Sequence, residues 1–256
     1  MSSYHLKSKC NMKIGFIQYD PNIRTATENV IFLEESTRSL TNTLLVLPEL
    51  FLGSYKNFNN FTEQEFVKII EPLLNVSSDR NLGFVGTAPI CVKNSVYNRA
   101  FFIRNGKIAG SYDKRKLFGD EIGTLTPGQN PYPIFEFENV RFLIQVCFDN
   151  IDPLPCRKAV LRGIDVLLAP ATVSVKLLRK VIQTRSLENQ IVTVFCNRTG
   201  EESDGTKYCG DSAVFLPDGR TLFEKGKKRK DSVWITELPD SFIKETTVRR
   251  QTFITG

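Results

Sequence analysis

The stretches "LLVLPELFLGSY" (residues 44–55) and "RFLIQVCFDNIDP" (residues 141–153) are built alike. Each is an apolar run that halts at a reactive side chain, Glu49 in the first and Cys147 in the second. A third stretch, "GSYDKRKLFGDE" (residues 110–121), brings Lys114 to the close of another strand-like run. A cysteine thiol is mostly protonated at neutral pH and becomes a nucleophile only beside a base or a cation. Histidine is the usual base, but the only histidine here is His5, in a polar N-terminal stretch. That removes Ser-His-Asp and Cys-His catalysis and argues against a zinc site of the Cys/His kind. A carboxylate whose pKa a partly buried site raises toward neutrality can take the thiol proton instead, and Glu49 is placed for it. Lys114 would lower the thiol pKa and, with the backbone N–H of Phe148, stabilise an oxyanion. Carboxylate, ammonium and thiol at strand ends are what His-free thiol catalysis on an amide requires.

Strands must deliver these groups, and the hydrophobic pattern supplies them. The chain has 256 residues, 41% of them hydrophobic and 24% charged, long enough for one large domain with a sizeable core. Short β-type runs alternate with helical ones throughout, which argues a layered α/β fold. The pattern predicts strands at 13–19, 43–48, 82–90, 96–103, 107–113, 134–138, 140–147, 164–170, 191–196, 211–216 and 232–237. Helices are predicted at 25–40, 62–74, 154–163 and 174–189. No linker composition divides the chain, so residues 13–256 read as a single domain after a short tail, 1–12. No apolar run reaches the length of a membrane span and no signal peptide is visible, so a cytoplasmic protein is expected. The six cysteines show no CxxC spacing and read as reduced thiols, Cys91, Cys156, Cys196 and Cys209 as packing or incidental ones. The net charge of +6 is partly concentrated in "KGKKRK" (225–230), read as a solvated hairpin tip between two strands rather than a nucleic-acid patch. No phosphate-binding glycine motif follows a strand.

Three blocks together resemble the nitrilase, or carbon–nitrogen hydrolase, superfamily over about residues 13–237. "LVLPELF" is similar to its Glu block, "YDKRKLF" to its Lys block and "VCFDNIDPLPCR" to its Cys block, with Arg157 ten residues past the cysteine. The stretches "GDEIGTLTPG", "RSLENQIVTVFCNRTG" and "CGDSAVFLPDG" support the likeness. The resemblance implies a four-layer αββα sandwich of two mixed β-sheets flanked by helices. It implies Cys147 as nucleophile, Glu49 as general base, Lys114 as the catalytic lysine rather than Lys116, and Glu121 as a second, substrate-orienting glutamate. It implies no metal or organic cofactor, and a homodimer formed through helices matching 154–163 and 174–189. The chain departs from the pattern at Phe148, Asp152 and Leu154, and its 170–185 segment is about three residues short and lacks a common tryptophan. The expectation is a hydrolase of a small amide or N-carbamoyl compound acting through a thioester, without nucleic-acid or membrane partners. A nitrile hydrolase and a non-catalytic ligand- or partner-binding relative remain open.

Overall fold

A computed structural model describes residues 12–53, 55, 60–224 and 231–238. In chain order the first half runs β1 (Lys13–Gln18), α1 (Ala26–Ser36), β2 (Thr43–Val46), β3 (Phe61–Thr62), α2 (Glu63–Ile69), α3 (Glu71–Asp79), β4 (Leu82–Val92), β5 (Ser95–Arg104) and β6 (Lys107–Asp113). The second runs β7 (Ile134–Phe137), β8 (Val140–Ile144), α4 (Pro153–Leu161), β9 (Val166–Ala171), α5 (Leu177–Asn189), β10 (Val192–Asn197), β11 (Thr199–Glu201), β12 (Lys207–Cys209), β13 (Ala213–Phe215), β14 (Thr221–Glu224) and β15 (Ser232–Glu237).

Among the described residues the strands form two large mixed sheets. One has the order β15-β1-β2-β4-β5-β6, with β3 paired to β4; the other has the order β14-β13-β10-β9-β8-β7. Each has parallel strands at its centre, β1-β2-β4 in one and β8-β9-β10 in the other, and antiparallel strands outside them. Alternation along each strand sends side chains to opposite faces, and here both faces are covered. In β2, Leu44 and Val46 join Ile14, Phe16, Phe102, Phe142 and Leu167 in the core between the sheets. Their neighbour Leu45 turns to the outer face, against Val30 and Leu33 of α1, Phe66 of α2 and Leu73 of α3. Cys156 and Ala159 of α4 and Ile182 of α5 close the opposite side. The layers are therefore helix, sheet, sheet, helix, the αββα sandwich that the resemblance implied.

Two expectations change. The helix predicted at 62–74 is two helices meeting at Ile70. Pro72 lies in the first turn of α3, where a missing N–H costs nothing, and inside one long helix it would break the ladder. Strand β8 ends at Ile144, short of the predicted 147, because the Val146 N–H donates to the Tyr112 hydroxyl (2.8 Å) instead of continuing the ladder. Residues 225–230, read as a hairpin tip, lie outside the described residues; their neighbours β14 and β15 belong to different sheets. His5, Cys10 and the 1–11 tail also lie outside the described residues. No helix among the described residues is long and apolar enough to cross a membrane.

Candidate active site

Four strands release the chain at one edge of the inter-sheet core, and the sequence-predicted residues follow their carboxyl ends. Glu49 comes three residues after β2, Lys114 directly after β6 and Cys147 three residues after β8, while Thr172 follows β9. Open α/β sheets hold ligands at such strand ends.

Pro48 stops the β2 ladder, and the loop beyond it is held by partners from several elements. The Glu49 N–H donates to the Ala171 carbonyl (3.3 Å), the Leu50 N–H to Thr87 Oγ1 (2.8 Å) and the Thr172 hydroxyl to the Glu49 carbonyl (2.9 Å). The Glu49 carboxylate is thereby fixed with no solvent exposure. Lys114, also buried, reaches it with Nζ 2.8 Å from Oε1. The same Nζ lies 2.6 Å from Oε2 of Glu121, at the end of a short 3-10 turn, Gly119–Glu121. Of the adjacent acids, Glu121 is buried in this cluster and Asp120 is exposed. The Lys114 backbone is held from both sides: its N–H donates to the Asn98 carbonyl (2.9 Å), and its carbonyl accepts from Gly128 (2.8 Å). Gly128 can approach because it has no side chain; a Cβ there would sit 2.0 Å from the Asp113 carbonyl oxygen.

Cys147 sits at a backbone φ of +44°, in the left-handed region that side chains with a Cβ seldom adopt. Its turn is pinned by Asn150 Nδ2, which donates to the carbonyls of Gln145 (2.9 Å) and Cys147 (3.0 Å). Asp149 ties the same turn to the lysine loop, its Oδ1 accepting from the Arg115 and Lys116 N–H groups (3.2 and 2.8 Å) and its Oδ2 from Tyr112 (3.1 Å). Phe148, half-buried, packs its ring on Phe118 at 4.7 Å between centroids. Lys116 points elsewhere, 44% exposed and 3.5 Å from Asp152. Asp152, one of the departures noted above, caps α4 by accepting the Leu154 N–H (3.1 Å). Arg157 lies outside the cluster, donating to the Glu188 carbonyl.

Electrostatics follow from burying two carboxylates around one ammonium. Desolvation raises the Glu49 carboxyl to about 7, with Lys114 opposing the shift and Glu121 adding to it. Burial pulls the Lys114 ammonium down, but Glu49 and Glu121, the latter also through its hydrogen bond, outweigh it and hold the group well above its ordinary pKa. For Cys147 the expected depression is corrected. Lys114 does act downward, but burial first and the Glu49 charge second push the thiol well up. The resting cluster therefore pairs a neutral thiol with a carboxylate poised near neutrality, a set suited to proton transfer from sulfur to oxygen.

The sequence reading missed Asn98, whose side-chain Nδ2 lies 2.9 Å from Glu49 Oε1 and 3.0 Å from Glu121 Oε1. It also missed Thr172, and Tyr55, which burial and the charges of Glu121 and Glu49 push above the ordinary phenol range. The one available signal was Asn98 itself, a polar residue in register with the apolar Ala100 and Phe102.

Comparison with known proteins places these observations among relatives. A family model described as "Carbon-nitrogen hydrolase" matches residues 13–247. A protein named "Nitrilase" from Pyrococcus abyssi is 27% identical over 239 residues, 89% of each chain. Among solved structures, XC1258 from Xanthomonas campestris, described as a CN-hydrolase superfamily protein with an arsenic adduct in its active site, superposes with a TM-score of 0.83 at 22% identity, covering 96% of this chain and 97% of that one. A Glu-to-Gln variant of the amidase from Nesterenkonia sp. AN1, with the acetamide moiety of fluoroacetamide added covalently at its active-site cysteine, superposes with a TM-score of 0.80 at 22% identity, covering 97% and 99%.

Proposed function

Because this chain belongs to the carbon–nitrogen hydrolase family, we propose that it hydrolyses the C–N bond of a small amide or N-carbamoyl compound through a thioester on Cys147. The observation that carries this reading is the buried Lys114 ammonium, hydrogen-bonded to Glu49 and Glu121 beside a buried thiol. Nothing in the packing of a fold requires so costly a cluster at strand ends.

In this reading Glu49 takes the Cys147 proton as the sulfur bonds to the substrate carbonyl carbon. The carbonyl oxygen becomes an oxyanion. Lys114 has three donors and commits two of them to the glutamates, so one is left for that oxygen, beside the Phe148 N–H. Collapse of the adduct breaks the C–N bond, and the proton held by Glu49 leaves with the ammonia or amine. Water then attacks the thioester, giving one proton to Glu49, and the carboxylic acid departs as Cys147 recovers its proton. Glu121 holds Lys114 and orients the substrate. The Nesterenkonia amidase, with its covalent adduct at an active-site cysteine, supports a covalent role for the thiol.

We further infer a homodimer formed through α4 and α5, since Leu154, Leu161, Leu177 and Leu187 stand 51–66% exposed on those helices. A reducing, cytoplasmic setting suits a reaction that needs a free thiol. The decisive experiment incubates the protein with a panel of amides, carbamoyl amines and nitriles while following ammonia release. Turnover of an amide or carbamoyl amine that Cys147→Ala abolishes is expected. Turnover that survives Cys147→Ala ends the reading, and turnover of nitriles alone replaces the substrate class.

A further inference from the structure

We propose that Asn98 is a positioning residue that fixes the protonation of Glu49 by closing a ring of hydrogen bonds through both glutamates. The inference rests on the reading of Glu49 as the base. Four contacts make the ring: Lys114 Nζ to Glu49 Oε1 at 2.8 Å and to Glu121 Oε2 at 2.6 Å, Asn98 Nδ2 to Glu49 Oε1 at 2.9 Å and to Glu121 Oε1 at 3.0 Å. Asn98 has no solvent exposure, and its main-chain carbonyl holds the Lys114 N–H as well. One residue of β5 therefore touches all three charged members of the cluster.

The chemistry of the amide explains why asparagine suits the position. Two carboxylate oxygens face one side-chain group, so that group must be the NH₂, with its two donors. The amide Oδ1 makes no hydrogen bond to protein, and neither does Glu49 Oε2. With both glutamates ionised, one ammonium leaves a surplus negative charge in a buried site. A second cation in place of Asn98 would cancel that surplus and make Glu49 a weak base. An apolar residue would leave both carboxylates short of a donor and keep Glu49 protonated. A neutral group with two donors lies between these extremes and holds the carboxyl near the pH at which a base both ionises and accepts protons well.

Other groups also face Glu49. Lys114 follows β6, Glu121 ends the 3-10 turn and Cys147 lies on the nucleophile turn. Tyr55 comes from the loop after β2, and Tyr208 from β12. Neither tyrosine titrates near neutrality, both phenols being raised by burial. Movement of the inflection in a variant that alters only residue 98 therefore reports the lost donors.

The test uses iodoacetamide, which alkylates the thiol without forming an oxyanion and needs no knowledge of the substrate. The rate of Cys147 modification in the whole protein is followed by peptide mass spectrometry from pH 5 to about 9, the window that brackets neutrality. The parent protein is expected to show an inflection near pH 7, belonging to the thiol–carboxylate pair. Glu49→Gln replaces it with the thiol's own ionisation. Asn98→Leu, losing both donors, should raise the inflection by about one unit, since a donor to a charged group favours the ionised form by that order. Asn98→Ser, retaining one hydroxyl donor, should fall between. An unmoved inflection in folded Asn98→Leu overturns the proposal, and should that variant not fold, an unmoved inflection in Asn98→Ser does so. If Glu49→Gln itself keeps the parent inflection, the assignment of the base fails, whatever residue 98 does.

Discussion

In the proposed mechanism Glu49 must be ionised to accept the thiol proton, and burial raises its carboxyl to about 7. Turnover should therefore climb as pH rises through neutrality and fade on the acid side, a profile that initial rates against pH will check. Glu49→Gln should lower the maximal rate by about 10²–10⁴-fold, the usual worth of a positioned base. Lys114→Met removes a donor to the oxyanion and should cost about 10²–10³-fold in rate, whereas Lys116→Met, on a half-exposed side chain paired with Asp152, should change little. A second consequence concerns stability. Without Lys114, which opposes the rise that burial imposes, the Glu49 carboxyl holds its proton still more tightly folded than unfolded, so the variant is least impaired at low pH. Its deficit relative to the parent should widen as pH rises from about 5 to 8, and melting curves at the two ends would show it; an equal deficit at both would sink the idea. Glu49 and Cys147 stood out in the sequence because each ends an apolar run, and Lys114 because it closes a strand-like one. Thr172, just past a strand end, had no spacing to mark it, and Asn98 showed only as one polar residue on the apolar face of β5, with nothing in the sequence to join it to Glu49 or Glu121.

At the scale of the element, the turn that carries Cys147 is the informative one. A φ of +44° strains any residue with a Cβ, by about 1 kcal/mol, and the strain is the same for alanine. Cys147→Gly should thus melt about 2–4 °C above Cys147→Ala although both lack the thiol. Equal melting points would mean the turn relaxes once the sulfur is gone. The partners of this turn, Asn150, Asp149, Tyr112 and Arg185, come from three elements, and Arg185 grips the Asn150 carbonyl from α5. Sequence patterning extended strand β8 to residue 147 because apolar alternation continues there. The ladder nevertheless stops early, since side chains distant in sequence capture the backbone groups that a strand would use. Period-two patterning sees burial, not hydrogen-bond partners. The division of α2 from α3 is marked in the sequence by Pro72, although the apolar spacing runs through it.

The two-sheet arrangement leaves α4 and α5 with exposed leucines, Leu154 and Leu161 on one helix and Leu177 and Leu187 on the other. A charge placed there, as in Leu161→Arg with Leu177→Glu, should convert a dimer into a monomer in light scattering at micromolar concentration; a parent protein already monomeric would overturn the pairing. The mixed α/β layers were legible at this scale from alternating strand and helix patterns, but which strands pair was not. Strand β15 shows why: Lys13 lies opposite Glu237, so partners at nearly the two ends of the described chain meet in one sheet. During synthesis β1 leaves the ribosome long before β15 exists. Until then one side of β1 offers unpaired peptide groups, a template on which another nascent chain can add a strand. Gly15 fits this history, for a Cβ there would meet the Trp234 carbonyl oxygen at 1.9 Å. The seam is thus tightly fitted and joins strands made far apart in time, and the yield of folded protein from a crowded ribosome depends on how quickly β15 reaches β1.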